Sequence, residues 1–280
     1  MKSKYAYKRT WYTIVRQDPT SLYIEPFRIF GNLYFVGNKD VSIHLVDTGE
    51  GLILFDTGFS HMGGLLLHAI WKCGFRPEDI KMIFHTHGHF DHFGATRFLK
   101  YLSGAKTYIG AADAKMLREH PEFALCDYLE GIPTEFFVPD VEIYDGDCFQ
   151  LGNTIVETYE TPGHSQGAIT YRILVTDGNS QRWALLCGGT GFNTLCRDFL
   201  EDHHNYSWRT DFENSLRKWR ELDCDIYLGN HTEQSRTLEK RARMLQEPEN
   251  PFINPDDWKR YVLDLEQRYF EMLREDSCCP

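Results

Sequence analysis

The sequence predicts an α/β protein in which two mixed β-sheets carry helices on their outer sides, and three observations predict it. Short apolar or alternating strands divided by turn residues fill the first part of the chain, strands and helices alternate in the middle, and strands return from Val138 onward. The two similar halves suggest two sheets. At 280 residues and 42% hydrophobic content, one large domain over residues 1–280 is expected, and disorder or collagen-like repeats are excluded.

The elements of the first half follow from its turns and its hydrophobic periodicity. Glycine-containing turns divide the first three strands, which indicates an antiparallel meander. A helical pattern then begins the alternation of helices and strands. The predicted strands are 33–36, 41–46, 52–55, 80–84 and 106–109, and the predicted helices are 61–73, 93–102 and 111–119.

The second half is richer in strands and ends in a helix. Strands are predicted at 147–151, 154–160, 168–175, 182–187 and 225–228, with a helix at 211–221. In the last helix, from about 255 to 274, Asn254 can cap the first turn and Pro255 suits its first position. Apolar residues from Trp258 onward fall on one stripe, so this helix is expected to pack on the body of the protein.

The charge balance argues against two classes of partner. Lys and Arg total 30 against 41 for Asp and Glu, and a net charge of -11 repels phosphate backbones and anionic lipid heads. We therefore expect neither nucleic acid nor a membrane as a partner. The N-terminal stretch lacks an apolar leader pattern and no run of about 18 apolar residues occurs, so a cytoplasmic location with reduced cysteines is expected. The pattern leaves the oligomeric state open.

The most informative segment reads HTHGHFDH over residues 85–92 and directly follows the apolar strand 80–84. His85 and His87 are two residues apart, so in extended backbone both rings leave on one side and can bind one ion. Asp91 and His92 can face a second ion nearby. Such a cluster after a buried strand is costly to satisfy without metal. With these ligands assigned, His89 is interpreted as a solvated loop residue, as are the histidines at 203 and 204.

Two further histidines follow predicted strands. His164 lies in the TPGH segment at 161–164, after strand 154–160, and His231 lies in a Gly-Asn-His segment after strand 225–228. Alone, each is more typical of a hydrogen-bonded structural histidine. Together with the first cluster they supply two sets of three metal ligands.

These motifs resemble the metallo-β-lactamase superfamily, whose signature is H-x-H-x-D-H followed by separate distal ligands. The resemblance covers nearly the whole chain and includes the Asp-Thr-Gly segment at 56–58. It implies an αββα four-layer sandwich, two zinc ions per chain and three protein ligands for each ion. By this resemblance the first zinc is held by His85, His87 and His164, and the second by Asp91, His92 and His231.

One departure from the family pattern refines the resemblance. Many members place a bridging Asp after the strand that here ends at residue 187, but this chain reads GGTG over residues 188–191. The missing bridging carboxylate, together with His92 and His231, is most similar to subclass B3 enzymes. Asp56 resembles the family's carboxylate that supports the metal loop, and a turn-stabilising role before Thr57 remains an equal alternative.

The resemblance implies hydrolysis of a carbonyl bond in a small substrate. Asp91 would orient the nucleophile and transfer its proton, while Thr190 and Asn193 would offer hydrogen bonds to a substrate carboxylate. Two zinc ions against one carboxylate ligand leave the site positive, which favours an anionic substrate. Three functions stay open: a B3-like β-lactamase, another hydrolase acting on a lactone or thioester, and a metal-binding protein without turnover.

Overall fold

The computed structural model describes residue 13 and residues 15–278. The first sheet has seven strands in chain order, β1 to β7. The first four pair antiparallel, and β4 to β7 pair parallel, as expected where helices cross between strands. The strands are β1 (Phe27–Phe30), β2 (Leu33–Phe35), β3 (His44–Asp47), β4 (Leu52–Phe55), β5 (Ile80–Phe84), β6 (Lys106–Gly110) and β7 (Val141–Ile143), and the helices of this half are α1 (Gly63–Lys72), α2 (Phe90–Phe93), α3 (Thr96–Ser103) and α4 (Ala111–Glu119).

The second sheet has five strands in the order β12-β11-β10-β9-β8. All neighbours are antiparallel except β11 and β12, which are parallel, so this sheet is also mixed. Its strands are β8 (Cys148–Leu151), β9 (Thr154–Glu160), β10 (Ile169–Asp177), β11 (Ser180–Leu186) and β12 (Ile226–Leu228), and its helices are α5 (Arg197–His203), α6 (Ser207–Glu221), α7 (Thr237–Met244) and α8 (Pro255–Cys278).

The two sheets pack face to face through a shared apolar core. Tyr171 of β10 lies against Phe55 of β4 and Phe84 of β5, with ring centroids 5.5 Å apart in both pairs. These three side chains are fully buried. Burial of alternate strand residues on the inner faces is what a sandwich requires.

Helices cover both outer faces. On the first sheet, Leu54 and Ile83 belong to a buried cluster with Ile70 of α1. On the second sheet, Tyr227 of β12 belongs to a cluster with Trp219 of α6 and residues of α8. The predicted αββα sandwich is therefore confirmed, because each sheet has one face on the other sheet and one face on helices.

Some predicted bounds differ from the structure for local reasons. The predicted strand 41–46 pairs in the first sheet only from His44, because Val41 makes a bridge with His231 and Ser42 donates its N–H to Asn230. The predicted helix 93–102 begins only at Thr96, after the break at Gly94. Strands β1 and β7 and helices α5 and α7 are short elements that the hydrophobic pattern did not specify.

The C-terminal helix begins at Pro255, as predicted, and continues to Cys278, beyond the predicted end near 274. Asn254 Oδ1 accepts the backbone N–H of Asp256 at 3.2 Å, as a capping side chain does. Residues 1–12, 14, 279 and 280 lie outside the described residues, so a single domain over 1–280 stays a prediction.

Two further observations bear on the expectations about membranes and cysteines. Within the described part of the chain, none of the helices combines the length and the apolar character needed to cross a bilayer. The cysteines at 73, 126, 148, 187, 196 and 224 are free thiols, and Cys187 is a fully buried member of the apolar core.

Candidate metal centre

The candidate centre lies where three strands end. The loop after β5 carries residues 85–92, the loop after β9 carries His164, and the loop after β12 carries His231. The bridge between Val41 and His231 ties the last of these loops to the segment that precedes β3. The centre therefore draws side chains from both sheets.

The first group of side chains is His87, His89 and His164, whose potential ligand atoms all lie within 4.8 Å of one another. All three are buried, with exposed fractions of 1%, 4% and 7%. Burial, with the neighbouring histidines His92, His89, His164 and His231, lowers the pKa of His87 well below its usual value. A neutral imidazole is the form that binds a metal.

Hydrogen bonds set the tautomer of His87. Thr86 Oγ1 donates to Asp56 Oδ2 at 2.8 Å, so it can only accept from His87 Nδ1, which lies 3.0 Å away. The lone pair of His87 is then on Nε2, a buried atom with no hydrogen-bond partner among the described residues. His164 Nδ1 lies 2.8 Å from the Gly191 carbonyl, which places its lone pair on Nε2 as well.

The second group consists of Asp91, His92 and His231. His92 Nδ1 lies 2.8 Å from Asp56 Oδ2, and His231 Nδ1 lies 3.1 Å from Asp40 Oδ1. Both Nδ1 atoms therefore donate, and the two Nε2 atoms face each other at 3.3 Å. Asp91 Oδ2 lies 3.6 Å from each of them. Three atoms that converge in this way can bind a cation between them, or share a proton carried by His231.

The pKa of His231 is set by burial and by the carboxylates around it. Burial lowers its pKa, but the hydrogen bond to Asp40 and the charges of Asp40 and Asp91 outweigh burial and raise the pKa to about 9. A proton on His231 thus supplies the positive charge that the three acceptors favour. Metal ions and protons are expected to compete for this position.

The assignment of His85 as a ligand was wrong. Its Nδ1 donates to the Tyr108 carbonyl at 3.0 Å, and its Nε2 lies 2.7 Å from the Thr96 hydroxyl. The ring also stacks on Phe137 at 4.6 Å, and burial lowers its pKa to about 4. Both nitrogens are engaged inside the core, so His85 does not reach the metal centre.

His89 takes the place that the sequence analysis gave to His85. It is buried rather than solvated, and its ring lies 4.5 Å from those of both His87 and His164. The H-x-H-x-D-H pattern therefore starts at His87 and includes His89, Asp91 and His92. The backbone leaves β5 at Phe84, so the spacing of two applies to a loop and not to a strand.

Asp56 occupies a central position beneath the loop that carries the ligands. Its Oδ1 accepts the N–H of Thr86 at 2.7 Å, and its Oδ2 accepts from the Thr86 hydroxyl and from His92. The residue adopts a positive φ of 61°, which is uncommon outside glycine. This conformation allows one carboxylate to hold both the loop backbone and a ligand ring.

Asp40 is a functional side chain that the sequence analysis missed. Its contact with His231 joins residues 191 positions apart. No local motif marks it, since it lies in an ordinary turn before β3. The carboxylate orients the His231 ring in the way that carboxylates commonly orient metal-binding histidines.

The loop at 188–191 lies against His164. A Cβ added to Gly189 would lie 2.0 Å from His164 Cδ2, so only glycine leaves room for the ring. A Cβ added to Gly191 would lie 2.9 Å from Asn193 Oδ1 and 3.0 Å from His164 Cε1, which places Asn193 beside the first group. Thr190 Oγ1 lies 2.6 Å from Tyr261 Oη and accepts from Gln234 Nε2 at 3.2 Å, so its hydroxyl already has partners in the fold.

Comparison with known proteins gives a consistent set of relatives. A sequence model of the metallo-beta-lactamase superfamily matches residues 36–177. The subclass B3 metallo-beta-lactamase of Bradyrhizobium japonicum superposes with a TM-score of 0.77 at 27% identity, covering 91% of this chain and 95% of that one. The metallo-beta-lactamase GOB-18 from Elizabethkingia meningoseptica superposes with a TM-score of 0.80 at 29% identity, covering 91% and 94%. The similarity to B3 structures thus extends over most of the fold.

One curated relative is named as an enzyme other than a metallo-beta-lactamase. A hydroxyacylglutathione hydrolase of Rhodospirillum rubrum is 30% identical over 157 residues, which cover 55% of this chain and 50% of that protein. The chain spans only about half the length of the curated relatives it matches.

Proposed function

The chain belongs to the metallo-beta-lactamase superfamily, and from this membership we propose that it is a dinuclear zinc hydrolase acting on a small anionic substrate. The proposed reaction adds water across a carbonyl bond, and a β-lactam is the first candidate substrate. The observation that carries the proposal is the convergence of metal-binding atoms, with one set on His87, His89 and His164 and an adjoining set on His87, Asp91 and His92, beside which the Nε2 of His231 lies 3.3 Å from that of His92.

The donor set suits zinc. Five imidazole nitrogens and one carboxylate are the ligand types that zinc prefers, with three protein ligands at each ion and room for solvent or substrate. The orphaned Nε2 of buried His87 and the facing Nε2 atoms of His92 and His231 support this fit. We propose that His87, His89 and His164 hold one ion and that Asp91, His92 and His231 hold the other.

Bound zinc would supply hydroxide at neutral pH and Lewis-acid polarisation of a carbonyl oxygen. The protein would contribute orientation and proton transfer. Asp91, whose Oδ2 faces both second-group histidines, would accept the proton of the attacking water and pass it to the departing nitrogen, oxygen or sulfur. In this step a carbon–oxygen bond forms and the bond to the departing atom breaks.

The preference for an anionic substrate rests on charge. Two zinc ions bring four positive charges, while Asp91 is the only carboxylate among the proposed ligands, so the site stays positive in an acidic protein. Asn193, beside His164, is the proposed hydrogen-bond donor to the substrate carboxylate. Thr190 can join it only by giving up its contact with Tyr261.

A thioester is the second candidate substrate. It is favoured by the similarity to a hydroxyacylglutathione hydrolase, whereas the β-lactam is favoured by the similarity to B3 structures over 91% of this chain. Both reactions use the same proposed ligands, so the substrate must be found by assay.

The test compares three substrates on the zinc-loaded protein: a chromogenic cephalosporin, a homoserine lactone and a glutathione thioester. Turnover of the cephalosporin that falls at least about 100-fold in His164→Ala is expected. His203→Ala is the matched control, because this histidine packs on Phe123 outside the centre. Turnover of the thioester alone would favour the second candidate, and two bound zinc ions without any turnover would leave a metal-binding protein.

A further inference from the structure

A buried carboxylate lies behind the first group of ligands. Asp113, in the first turn of α4, is completely inaccessible to solvent. Its Oδ2 accepts the N–H of Gly88 and the hydroxyl of Ser165, each at 2.7 Å, and its Oδ1 accepts the N–H of Gly167 at 2.7 Å. No cation is among these partners, so the carboxylate is held by donors alone.

The three donors belong to the two loops that carry the first group. Gly88 lies between His87 and His89, and Ser165 directly follows His164. A single side chain therefore joins the segment after β5 to the segment after β9. The N–H of Ile169, which donates to the Thr86 carbonyl at 2.8 Å, is a further link between the two segments.

Neighbouring atoms pack closely around the Asp113 carboxylate. A Cβ added to Gly167 would lie 2.2 Å from the backbone nitrogen of Asp113, and one added to Gly110 would lie 2.1 Å from the Gly167 carbonyl oxygen. A Cβ added to Gly88 would lie 2.6 Å from Met116 Cε. The Met116 side chain could move away, but the backbone atoms near Gly167 and Gly110 could not, so these two glycines permit the close approach of the two loops.

Burial raises the pKa of Asp113 above its usual value, and the hydrogen bonds from Ser165, Gly167 and Gly88 limit that rise by stabilising the carboxylate. A proton on Oδ1 would point at the Gly167 N–H, whereas the Ser165 hydroxyl could turn to accept a proton from Oδ2. The positive end of α4 further stabilises a negative charge in its first turn.

We infer that Asp113 is a positioning residue that sets the separation of His87 and His89 from His164, and so selectively determines the affinity of the first metal site. The inference rests on the proposed ligand groups. Asp113 acts through Gly88 and Ser165 and touches neither the metal nor the substrate. Asp40, which holds His231, is its counterpart for the second site.

The Asp113→Asn substitution tests this role with little change in shape. Either orientation of the amide places an NH₂ group against an N–H, of Gly88 or of Gly167. We expect zinc affinity at the first site to fall about 10- to 100-fold, the usual effect of losing a side chain that supports metal ligands. Ser165→Ala is the milder second variant, which keeps the charge and removes one donor, with an expected loss of about 3- to 10-fold.

The two sites are measured separately in single-site backgrounds. His231→Ala leaves only the first site intact, and His164→Ala leaves only the second. Zinc titration against a competing chromophoric chelator is expected to show the Asp113→Asn loss in the first background and a change below about 2-fold in the second. Asp40→Asn is the matched control and should give the reverse pattern. Equal losses in both backgrounds, or none, would overturn the inference.

A measurement on metal-free protein separates this inference from the proposed function. In Asp113→Asn the Gly88 and Gly167 amides should exchange with deuterium at least about 10-fold faster, while amides of β10 keep their wild-type rates. Zinc binding in neither background would refute the proposed function, and the exchange data would still decide the role of Asp113. Unchanged exchange at both glycines would show that the carboxylate does not hold the loops.

Discussion

In each proposed histidine ligand with a defined hydrogen bond, Nδ1 is the ring nitrogen that bonds to another group of the protein. His87, His92, His164 and His231 direct Nδ1 to a hydroxyl, a carboxylate, a carbonyl and a carboxylate, respectively. Each ring is thereby set in the tautomer that directs the Nε2 lone pair to the centre. His85 differs because both its nitrogens are engaged in the core. The partner of the second nitrogen therefore separates ligands from structural histidines.

This distinction predicts different outcomes for two neighbouring alanine variants. His89→Ala should reduce the zinc content from about two ions per chain to about one, because a ligand is lost. His85→Ala should keep both ions and lower the free energy of unfolding by about 2–4 kcal/mol, since it empties a buried position and removes the hydrogen bonds of the ring with the Tyr108 carbonyl and the Thr96 hydroxyl. Elemental analysis and denaturant unfolding of the same preparations measure the two quantities.

Two other outcomes would contradict the assignment of His89 as a ligand and His85 as a core residue. Loss of one zinc ion in His85→Ala with full zinc content in His89→Ala would restore the first assignment of the motif. Loss in both variants at unchanged stability would mean that the loop rearranges around the metal.

At the scale of elements, helix α8 holds the outer face of the second sheet. Trp258 is 1% exposed, and its Nε1 donates to the carbonyls of Trp219 and Leu222, each at 3.1 Å. One turn later, Tyr261 binds the hydroxyl of Thr190 in the loop beside His164. The helix therefore stabilises the core and also supports the site.

The anchoring role of Trp258 can be measured within one helix. Trp258→Ala should lower the free energy of unfolding by about 3–5 kcal/mol, because it removes a large buried ring and two hydrogen bonds. Leu263→Ala is the matched control, since Leu263 is 62% exposed on the same helix, and should change stability by no more than about 0.5 kcal/mol. Similar losses in the two variants, measured by denaturant unfolding, would contradict the observed packing of α8.

At the scale of the molecule, the proposed metal ligands connect the two sheets. His87, His89, Asp91 and His92 follow β5 of the first sheet, whereas His164 and His231 follow strands of the second. Bound ions would therefore cross-link the sandwich at one edge. Without them, only a proton on His231 offsets the repulsion among the facing atoms of His92, His231 and Asp91.

Removal of metal should consequently weaken the whole fold. Zinc at 100 times its dissociation constant stabilises a protein by about 2.7 kcal/mol per site, so chelation should lower Tm by roughly 10 °C. Calcium should restore little, because it prefers oxygen ligands and five of the six proposed donors are nitrogens. The double variant His164→Ala/His231→Ala should lose the response to zinc in a thermal melt. A melt independent of zinc in the wild type would show that no ion links the sheets.

The sequence by itself determined the fold class and the strongly periodic elements. Strands 52–55, 80–84 and 154–160 and helix 111–119 have the predicted bounds, because their burial pattern is continuous or regular over several residues. Similarity to B3 metallo-β-lactamases also followed from local motifs and was confirmed by the superpositions. A cluster of histidines at the end of a buried strand can be recognised from the sequence without a structure.

The tertiary structure alone decided which histidines face the centre and what holds them. His85 and His89 fit the same spacing, and only the hydrogen bonds of the His85 ring with the Tyr108 carbonyl and the Thr96 hydroxyl assign His85 to the core. The roles of Asp40 and Asp113 could not be predicted from the sequence, for the same physical reason. Their hydrogen-bond partners lie on other strand-end loops. A hydrogen bond between distant segments depends on how the sheets pack, and it produces no periodic pattern in the sequence.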